Sequence, residues 1–152
     1  MKKRGKVRYR KGVFIVVYKK TKGKAEYLVL KRKLHWKGWE FPKGGLKTWE
    51  KSDMKKAVLR ELKEEAGGCR VVDIKRLAVS GKYIYDEKIW DRPWAGQTYT
   101  LYSAEVKCKK VRIDRKEHSG YKWMDFKQAY RNLTWPNQKK CLKIVDKSLR
   151  YK

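Results

Sequence analysis

The chain has 152 residues, of which 41% are hydrophobic and 39% charged, and its 43 lysines and arginines against 16 aspartates and glutamates give a net charge of +27. This length suits one compact domain, and the hydrophobic content argues against a disordered chain. The longest aliphatic run, residues 13–17, is too short for a membrane span or a secretory signal. We therefore expect a cytoplasmic protein with no membrane attachment.

Alternating apolar residues separated by turn residues predict several strands. A basic lead at residues 1–11 comes first, and the domain proper is expected at residues 12–152. The predicted strands are residues 12–20, 26–32, 69–79, 82–86, 97–107 and 121–124. Residues 35–39 are predicted to be a loop that leads into a glycine-containing turn.

A helix is predicted between the second and third strands. Its apolar stripe has a spacing of four residues and consists of Met54, Val58 and Leu62. Ser52 or Asp53 is expected to cap the N-terminus, and the glycine pair at residues 67–68 should end the helix.

Two further helices are predicted near the C-terminus, one starting at residues 125–129 and a longer one at residues 137–149. One face of the longer helix should pack on the core, and it consists of Leu142, Val145 and Leu149. Another face is basic and consists of Lys139, Lys143, Lys147 and Arg150. Exposure to solvent is the default interpretation of such a face. If the substrate is a long nucleic acid, this face and residues 2–11 would instead contact its phosphates. Strands interleaved with helices predict an α/β layered domain.

The three cysteines, Cys69, Cys108 and Cys141, are odd in number and widely separated. Their spacing matches neither a disulfide framework nor a zinc site. We expect reduced thiols in an intracellular protein.

Two features of the composition point to an anionic, aromatic ligand. A net charge of +27 creates an electric field that concentrates polyanions, and nucleic acid is the commonest of these. General solubility is the alternative explanation for this charge. Tryptophans in presumed loops can stack on nucleobases, and packing beneath a loop is the alternative for each; they are Trp36, Trp39, Trp90 and Trp94.

Three carboxylates, Glu61, Glu64 and Glu65, lie in the predicted first helix. At about 100° per residue they share an arc of roughly 100° on the helix surface. Such crowding is repulsive, and a hard divalent cation such as Mg²⁺ or Mn²⁺ is the usual compensation. A solvated acidic face is the alternative, but the neighbouring glycine turn and the scarcity of other acids favour a metal site that handles phosphates.

The stretch from Gly44 to Gly68 resembles the Nudix box, which reads G, five residues, E, seven residues, REUxEExGU, where U is aliphatic. Gly44 and Glu50 match the first half, and residues 60–67, RELKEEAG, match the second half. Two departures are visible. Nine residues separate Glu50 from Arg60 where the family has seven, and Gly68 stands at the last aliphatic position.

Three other segments extend the resemblance over residues 12–150. Residues 39–45, WEFPKGG, are similar to the lead-in of Nudix enzymes that cleave dinucleoside polyphosphates. Residues 94–99, WAGQTY, resemble a strand entry that those enzymes share with RNA 5′-pyrophosphohydrolases. Residues 117–124, EHSGYKWM, resemble a strand near the C-terminus of the family.

The resemblance implies a single-domain α/β/α sandwich with a mixed sheet, and a metal-dependent pyrophosphohydrolase that uses Mg²⁺ or Mn²⁺. The implied metal ligands are Glu61, Glu64, Glu65 and the Gly45 carbonyl. Arg60 would orient these carboxylates, and Glu117 would be a base or further ligand, with a plain strand-end charge as its alternative. The implied substrate contacts are Lys43, Arg92, Trp39 and Trp94. His118 is expected to be structural or accessory.

The substrate is implied only as a nucleoside diphosphate linked to another moiety. The Trp-Pro-Lys-Gly lead-in favours a dinucleoside polyphosphate such as diadenosine tetraphosphate, which we rank first. The Gly-Gln motif and the net charge suit a triphosphorylated or capped RNA 5′ end, and an inositol pyrophosphate is a third polyanionic option. A non-catalytic RNA-binding protein of this fold is the alternative from a different class, but retention of Arg60 and all three helix glutamates argues for catalysis.

Overall fold

The computed structural model describes residues 8–84 and 96–150. In chain order the elements are β1 (Tyr9–Thr21), β2 (Lys24–Arg32), β3 (Gly38–Glu40), β4 (Lys43–Gly45), a 3₁₀ helix (Thr48–Glu50), α1 (Met54–Glu65), β5 (Gly67–Ile84), β6 (Gly96–Arg112), β7 (His118–Met124), α2 (Phe126–Asn132) and α3 (Pro136–Arg150). Within these residues, none of the helices is both long and apolar enough to cross a membrane.

The strands form one mixed sheet in the order β3-β2-β1-β6-β5, with β4 paired to β1 and β7 paired to β2. The central pair, β1 and β6, is parallel, while the remaining pairs are antiparallel. Short β4 lies beside the N-terminal part of β1, where Gly45 is opposite Gly12. This pairing places the glycine turn at the edge of the central strands, next to α1.

The side chains of β1 alternate between two hydrophobic cores, as the period of a strand requires. Val13, Ile15 and Val17 face α1, and they pack with the apolar stripe that includes Val58 and Leu62. The intervening residues face the other side, where α2 and α3 supply Ala129, Leu133, Leu142 and Val145. One sheet covered by helices on both faces confirms the predicted α/β/α sandwich.

The predicted elements are found, but several differ in extent. Relative to the predicted bounds, β1 begins earlier at Tyr9, β6 ends later at Arg112 and β7 begins earlier at His118, and the short strand β4 was not predicted. The segments predicted as strands at residues 69–79 and 82–86 belong to one strand, β5, whose register against β6 shifts between Arg76 and Ser80. Residues 85–86 lie outside the described residues. The predicted loop at residues 35–39 ends in β3, because Trp39 pairs with Lys31 of β2. In α3, Leu142 and Val145 are fully buried and Leu149 is partly buried, as predicted.

The prediction of three reduced cysteines is wrong for two of them. Cys69 and Cys108 form a disulfide, and Cys141 is free and buried. The two bonded cysteines lie directly opposite each other where β5 pairs with β6, with their Cα atoms 4.2 Å apart. Their sequence separation of 39 residues does not indicate a disulfide, because the register between two strands depends on the tertiary fold.

Removing this disulfide by the double change Cys69→Ser and Cys108→Ser is expected to lower the free energy of unfolding by about 4 kcal/mol. A crosslink that closes a loop of 39 residues restricts the unfolded chain by about this amount. Urea unfolding of both proteins measures the difference, and wild-type protein in reductant should match the variant. If the wild-type protein, unfolded without reductant, has three titratable thiols, the pairing is contradicted.

Candidate active site

A cavity of about 580 Å³ opens beside the C-terminal half of α1. One end of it is acidic and is lined by Glu61, Glu64, Glu65, Asp114 and Glu117. The rest of the lining is mixed in character and includes Phe14, Trp36, Tyr83 and Trp135, which are called the aromatic wall below. A carboxylate cluster next to aromatic surface suits a ligand that has both phosphates and flat rings.

The three helix glutamates have different environments. Glu61 and Glu65 are one helical turn apart and are only 7% and 5% exposed. The Glu64 side chain is 52% exposed and lies at the rim of the cavity. The shared arc predicted from the sequence is therefore present, with two carboxylates buried towards the sheet and one directed to solvent.

Arg60 connects the two halves of the glycine-to-glutamate segment. Its Nε donates to Glu50 Oε2 at 2.7 Å, and its Nη1 donates to Glu61 Oε1 at 2.8 Å. Nη2 donates both to Glu50 Oε1 at 3.0 Å and to the Gly45 carbonyl at 2.9 Å. Nη1 also lies 3.3 Å from Glu64 Oε2. The fork of five N–H donors on arginine suits this multiple pairing, which lysine cannot reproduce.

The glycine turn allows the backbone to approach α1 closely. A Cβ atom at Gly44 would collide with the Glu61 carboxylate, and a Cβ atom at Gly45 would collide with the Arg10 guanidinium. The backbone N–H of Lys43 donates to Glu65 Oε2 at 3.2 Å. Gly44 thus lets the main chain lie against a buried carboxylate, whereas the flexible Arg10 side chain beside Gly45 could move aside.

Glu117 enters the cavity from the loop between β6 and β7. Arg32 Nη1 lies 3.4 Å from Glu117 Oε2 and 3.2 Å from Glu40 Oε2. His118 Nε2 lies 2.8 Å from the same Glu40 oxygen. Ligand atoms of Glu65, Glu117 and His118 lie within 4.8 Å of one another. These contacts bring Glu117 next to the helix glutamates and give His118, fully buried, a partner in Glu40.

The buried carboxylates resist ionisation to different degrees. Burial raises the pKa of Glu61 to about 7, although pairing with Arg60 opposes that rise. Burial also raises the pKa of Glu65 well above its usual range, and the neighbouring charges of Glu61, Glu40 and Glu117 add to the effect. Glu40 is as deeply buried, yet the hydrogen bond from His118 and the charges of Lys43 and Arg32 lower its pKa. Glu65 therefore lacks the compensating charge that Glu40 has, and the single pairing of Glu61 with Arg60 only partly offsets the effect of burial.

Of the four predicted substrate contacts, one lines the cavity, one does not, and two lie outside the described residues. Lys43 lines the cavity, with its Nζ 3.5 Å from Glu40 Oε1. Trp39 lies in β3, packs against the core on the α2–α3 side and does not line the cavity. Its backbone N–H donates to Thr134 Oγ1 at 3.0 Å. Arg92 and Trp94 lie outside the described residues.

Several residues of this site were absent from the sequence predictions. Arg32 and Glu40 form the support of Glu117, and they belong to strands far from α1 in the sequence. Trp135 was also absent, whereas Trp36, which it meets at the cavity edge with ring centroids 5.1 Å apart and planes at 74°, is one of the loop tryptophans predicted to stack on nucleobases. Glu40 lies within the WEFPKGG segment, so its position was a usable signal. Nothing in the sequence around Arg32 or Trp135 indicated a place in this site, because only the fold brings them to the cavity.

Known proteins are similar to this chain along most of its length. Residues 8–143 match the NUDIX domain. The RNA pyrophosphohydrolase of a Nitratiruptor species is 31% identical over 151 residues, which covers 93% of this chain and 96% of that protein.

Solved structures share the fold at lower identity. The Ap4A hydrolase of C. elegans, in a binary complex, has a TM-score of 0.70 and 21% identity over 93% of this chain and 98% of that chain. The dihydroneopterin triphosphate pyrophosphohydrolase of E. coli has a TM-score of 0.74 and 15% identity over 92% and 98%. Both matches concern the fold alone, whereas the domain match and the 31% relative identify the family. The chain belongs to the NUDIX family and is a Nudix hydrolase.

Proposed function

We propose that this protein is a metal-dependent pyrophosphohydrolase that cleaves a phosphoanhydride at the 5′ end of RNA. The observation that carries the chemistry is the convergence of Glu61, Glu65 and Glu117 on one cavity. The choice of RNA is supported by the full-length relative, an RNA pyrophosphohydrolase, and by the net charge of +27. This ranking reverses the order expected from the lead-in motif, which placed dinucleoside polyphosphates first.

The carboxylate cluster fits a hard divalent cation. Glu61 and Glu65 are buried beside one another with raised pKa values, and a cation would remove the repulsion between them. Glu61, Glu64 and Glu65, with the Gly45 carbonyl, would hold Mg²⁺ or Mn²⁺. When bound, such an ion neutralises charge on phosphate oxygens and lowers the pKa of a coordinated water.

The remaining residues would position this group. Arg60 holds Glu61 and Glu64 on one side, and Arg32 holds Glu117 on the other. Glu117 is only partly buried and faces the cavity, so it would accept the proton of the attacking water. Lys43 would contact a phosphate oxygen. The aromatic wall would hold the nucleobase by stacking.

A dinucleoside polyphosphate is the second candidate substrate. It is supported by the WEFPKGG segment and by the shared fold of the C. elegans Ap4A hydrolase. Turnover of triphosphorylated RNA and of diadenosine tetraphosphate should be compared at two salt concentrations. The RNA reaction is expected to be faster and to lose more activity as salt rises. Tight RNA binding with no hydrolysis of any pyrophosphate substrate would instead support the non-catalytic alternative.

The metal-free protein is expected to be less stable at about pH 8 than at about pH 5.5. The pKa of Glu61 is about 7 when folded and that of Glu65 is also raised, so the folded state keeps protons that the unfolded state, with a pKa of 4.5, releases. Stability therefore falls as pH rises from about 5 through 7, by about 2 kcal/mol between pH 5.5 and pH 8 from Glu61 alone. The lowered pKa values of Glu40 and Glu50 affect stability below this window.

Urea unfolding in chelator at the two pH values measures this difference. Adding Mn²⁺ should raise the unfolding midpoint more at the higher pH, because the ion replaces the lost protons. A variant with glutamine at both positions should show little dependence on either pH or Mn²⁺. Equal stability of the metal-free wild type at both pH values would contradict the assignment of these two carboxylates.

A further inference from the structure

A second cavity lies behind the loop that carries Glu117. It has a volume of about 430 Å³ and is lined by residues from the end of β6, the β6–β7 loop and the start of β7. Three of the lining residues are cationic and exposed, namely Lys110, Arg112 and Arg115. Within the described part of the chain, none of the three has a carboxylate within 4.0 Å. This cavity therefore has a concentrated and uncompensated positive charge.

The β6–β7 loop separates acidic from basic side chains. Asp114 and Glu117 line the catalytic cavity, whereas Arg112 and Arg115 line the second cavity. The loop is held by hydrogen bonds, since the Glu117 carbonyl accepts from the N–H groups of Lys33 and Leu34. The two cavities are thus neighbours on either side of one fixed segment of chain, and they have opposite charge.

The second cavity also offers surface for a flat ring. Val111 forms a buried apolar wall, Ile113 is half-buried, and the Tyr121 side chain is exposed at the rim. An inorganic anion would use only the cations. A nucleotide would use both parts, with its phosphate near the arginines and its base against Tyr121.

We propose that this second cavity, formed by residues 110–113, 115 and 119–121, binds the RNA segment that follows the 5′ end held in the catalytic cavity. The proposal rests on the proposed function, since it requires an RNA substrate. Ile113 and Arg115 line the second cavity while Asp114 between them lines the first, so a short stretch of RNA that passes over this loop can contact both. Charge complementarity selects the phosphodiester backbone, and the tyrosine and apolar wall select single-stranded over duplex RNA.

The basic stripe on α3 is the other candidate for this path. Its cations are partly engaged, because Lys139 and Lys143 lie over the Tyr130 ring at 5.4 and 6.0 Å. Arg150 Nη2 lies 2.6 Å from Asp146 Oδ2. None of the stripe residues lines either of the two cavities described above. We therefore place the phosphate path at the β6–β7 loop, and the stripe provides a charge-matched comparison.

The test compares two double variants. One carries Arg112→Glu and Arg115→Glu, and the other carries Lys143→Glu and Lys147→Glu. Each pair changes the net charge equally, so a general steering field would affect both alike. Substrates are a nucleoside triphosphate and a triphosphorylated RNA of about eight nucleotides. The arginine pair should lower kcat/KM for the RNA by about tenfold or more and leave the nucleotide within about twofold. The lysine pair should change either substrate by less than about threefold.

Binding measured without catalysis separates this proposal from the proposed function. Fluorescence anisotropy of a 5′-monophosphorylated RNA should show weaker binding to the arginine pair, and a salt slope smaller by about 1.4 for two lost phosphate contacts. Tyr121→Ala should weaken binding of the RNA several-fold but not of a free mononucleotide. Equal losses for both charge pairs, or unchanged RNA binding by the arginine pair, would overturn the proposal. Normal RNA binding at this site without any hydrolysis would overturn only the proposed activity.

Discussion

Replacing Glu65 with glutamine is expected to lower kcat by about two to three orders of magnitude while the protein stays folded. Glu65 is 5% exposed, faces the catalytic cavity and lies within 4.8 Å of the ligand atoms of Glu117 and His118. Glutamine has the same shape but lacks the charge that would hold a divalent cation. Glu64→Gln should also lower kcat by orders of magnitude, as the resemblance implies, although this side chain lies at the exposed rim.

The stability of the Glu65 variant should be unchanged or slightly higher without metal. Burial and the nearby carboxylates raise the pKa of Glu65, so its charged form is unfavourable there. Added Mn²⁺ should then stabilise the variant less than the wild type. Glu26→Gln is the matched control, because it makes the same chemical change on β2 away from the cavity and should retain full activity. Near-normal turnover by the Glu65 variant would show that this residue is not a metal ligand.

The helix part of the site could be predicted because it is local. Glu61, Glu64 and Glu65 lie within two turns of α1, and helical periodicity alone places them on one surface. The same periodicity predicted the buried stripe through Val58 and Leu62, which packs as expected. Patterns with a range of a few residues were therefore sufficient for the fold class and the acidic centre.

The support of the site could not be predicted because it depends on strand pairing. Arg32 ends β2 and Glu40 ends β3, and only the pairing of these strands brings their side chains within 3.2 Å of each other. The disulfide between Cys69 and Cys108 has the same origin in the register of β5 and β6. Glu117 is implied by the family resemblance alone, because nothing in its local sequence indicates a partner on α1.

The two additional residues in the Nudix box have a structural consequence. They lie between Glu50, which ends the 3₁₀ helix at Thr48–Glu50, and Arg60, which lies in α1 after its start at Met54. Glu50 is nonetheless only 2% exposed and makes two hydrogen bonds with Arg60. The longer connection therefore preserves the pairing of the first glutamate with the arginine. This pairing assigns Glu50 a role in holding Arg60.

Replacing Arg60 with alanine is expected to lower the free energy of unfolding by about 3–5 kcal/mol at neutral pH. The change leaves the buried carboxylates of Glu50 and Glu61 without their main partner, and it removes the donor to the Gly45 carbonyl. An uncompensated buried charge is more costly than the loss of the pair itself. Arg70→Ala, at an exposed position on β5, is the control and should change stability by less than about 0.5 kcal/mol.

A double-mutant cycle with Glu50→Gln tests the cause of this loss. Adding Glu50→Gln to Arg60→Ala should recover part of the stability, because the unpaired charge is then removed. The hydrogen bond from Arg60 lowers the pKa of Glu50, so the contribution of the pair is present above about pH 4.5 and is lost on further acidification. The cost of Arg60→Ala, measured by urea unfolding, should accordingly shrink as pH falls through this range. A cost below about 1 kcal/mol at neutral pH, or no recovery in the double variant, would mean that Arg60 does not hold this segment together.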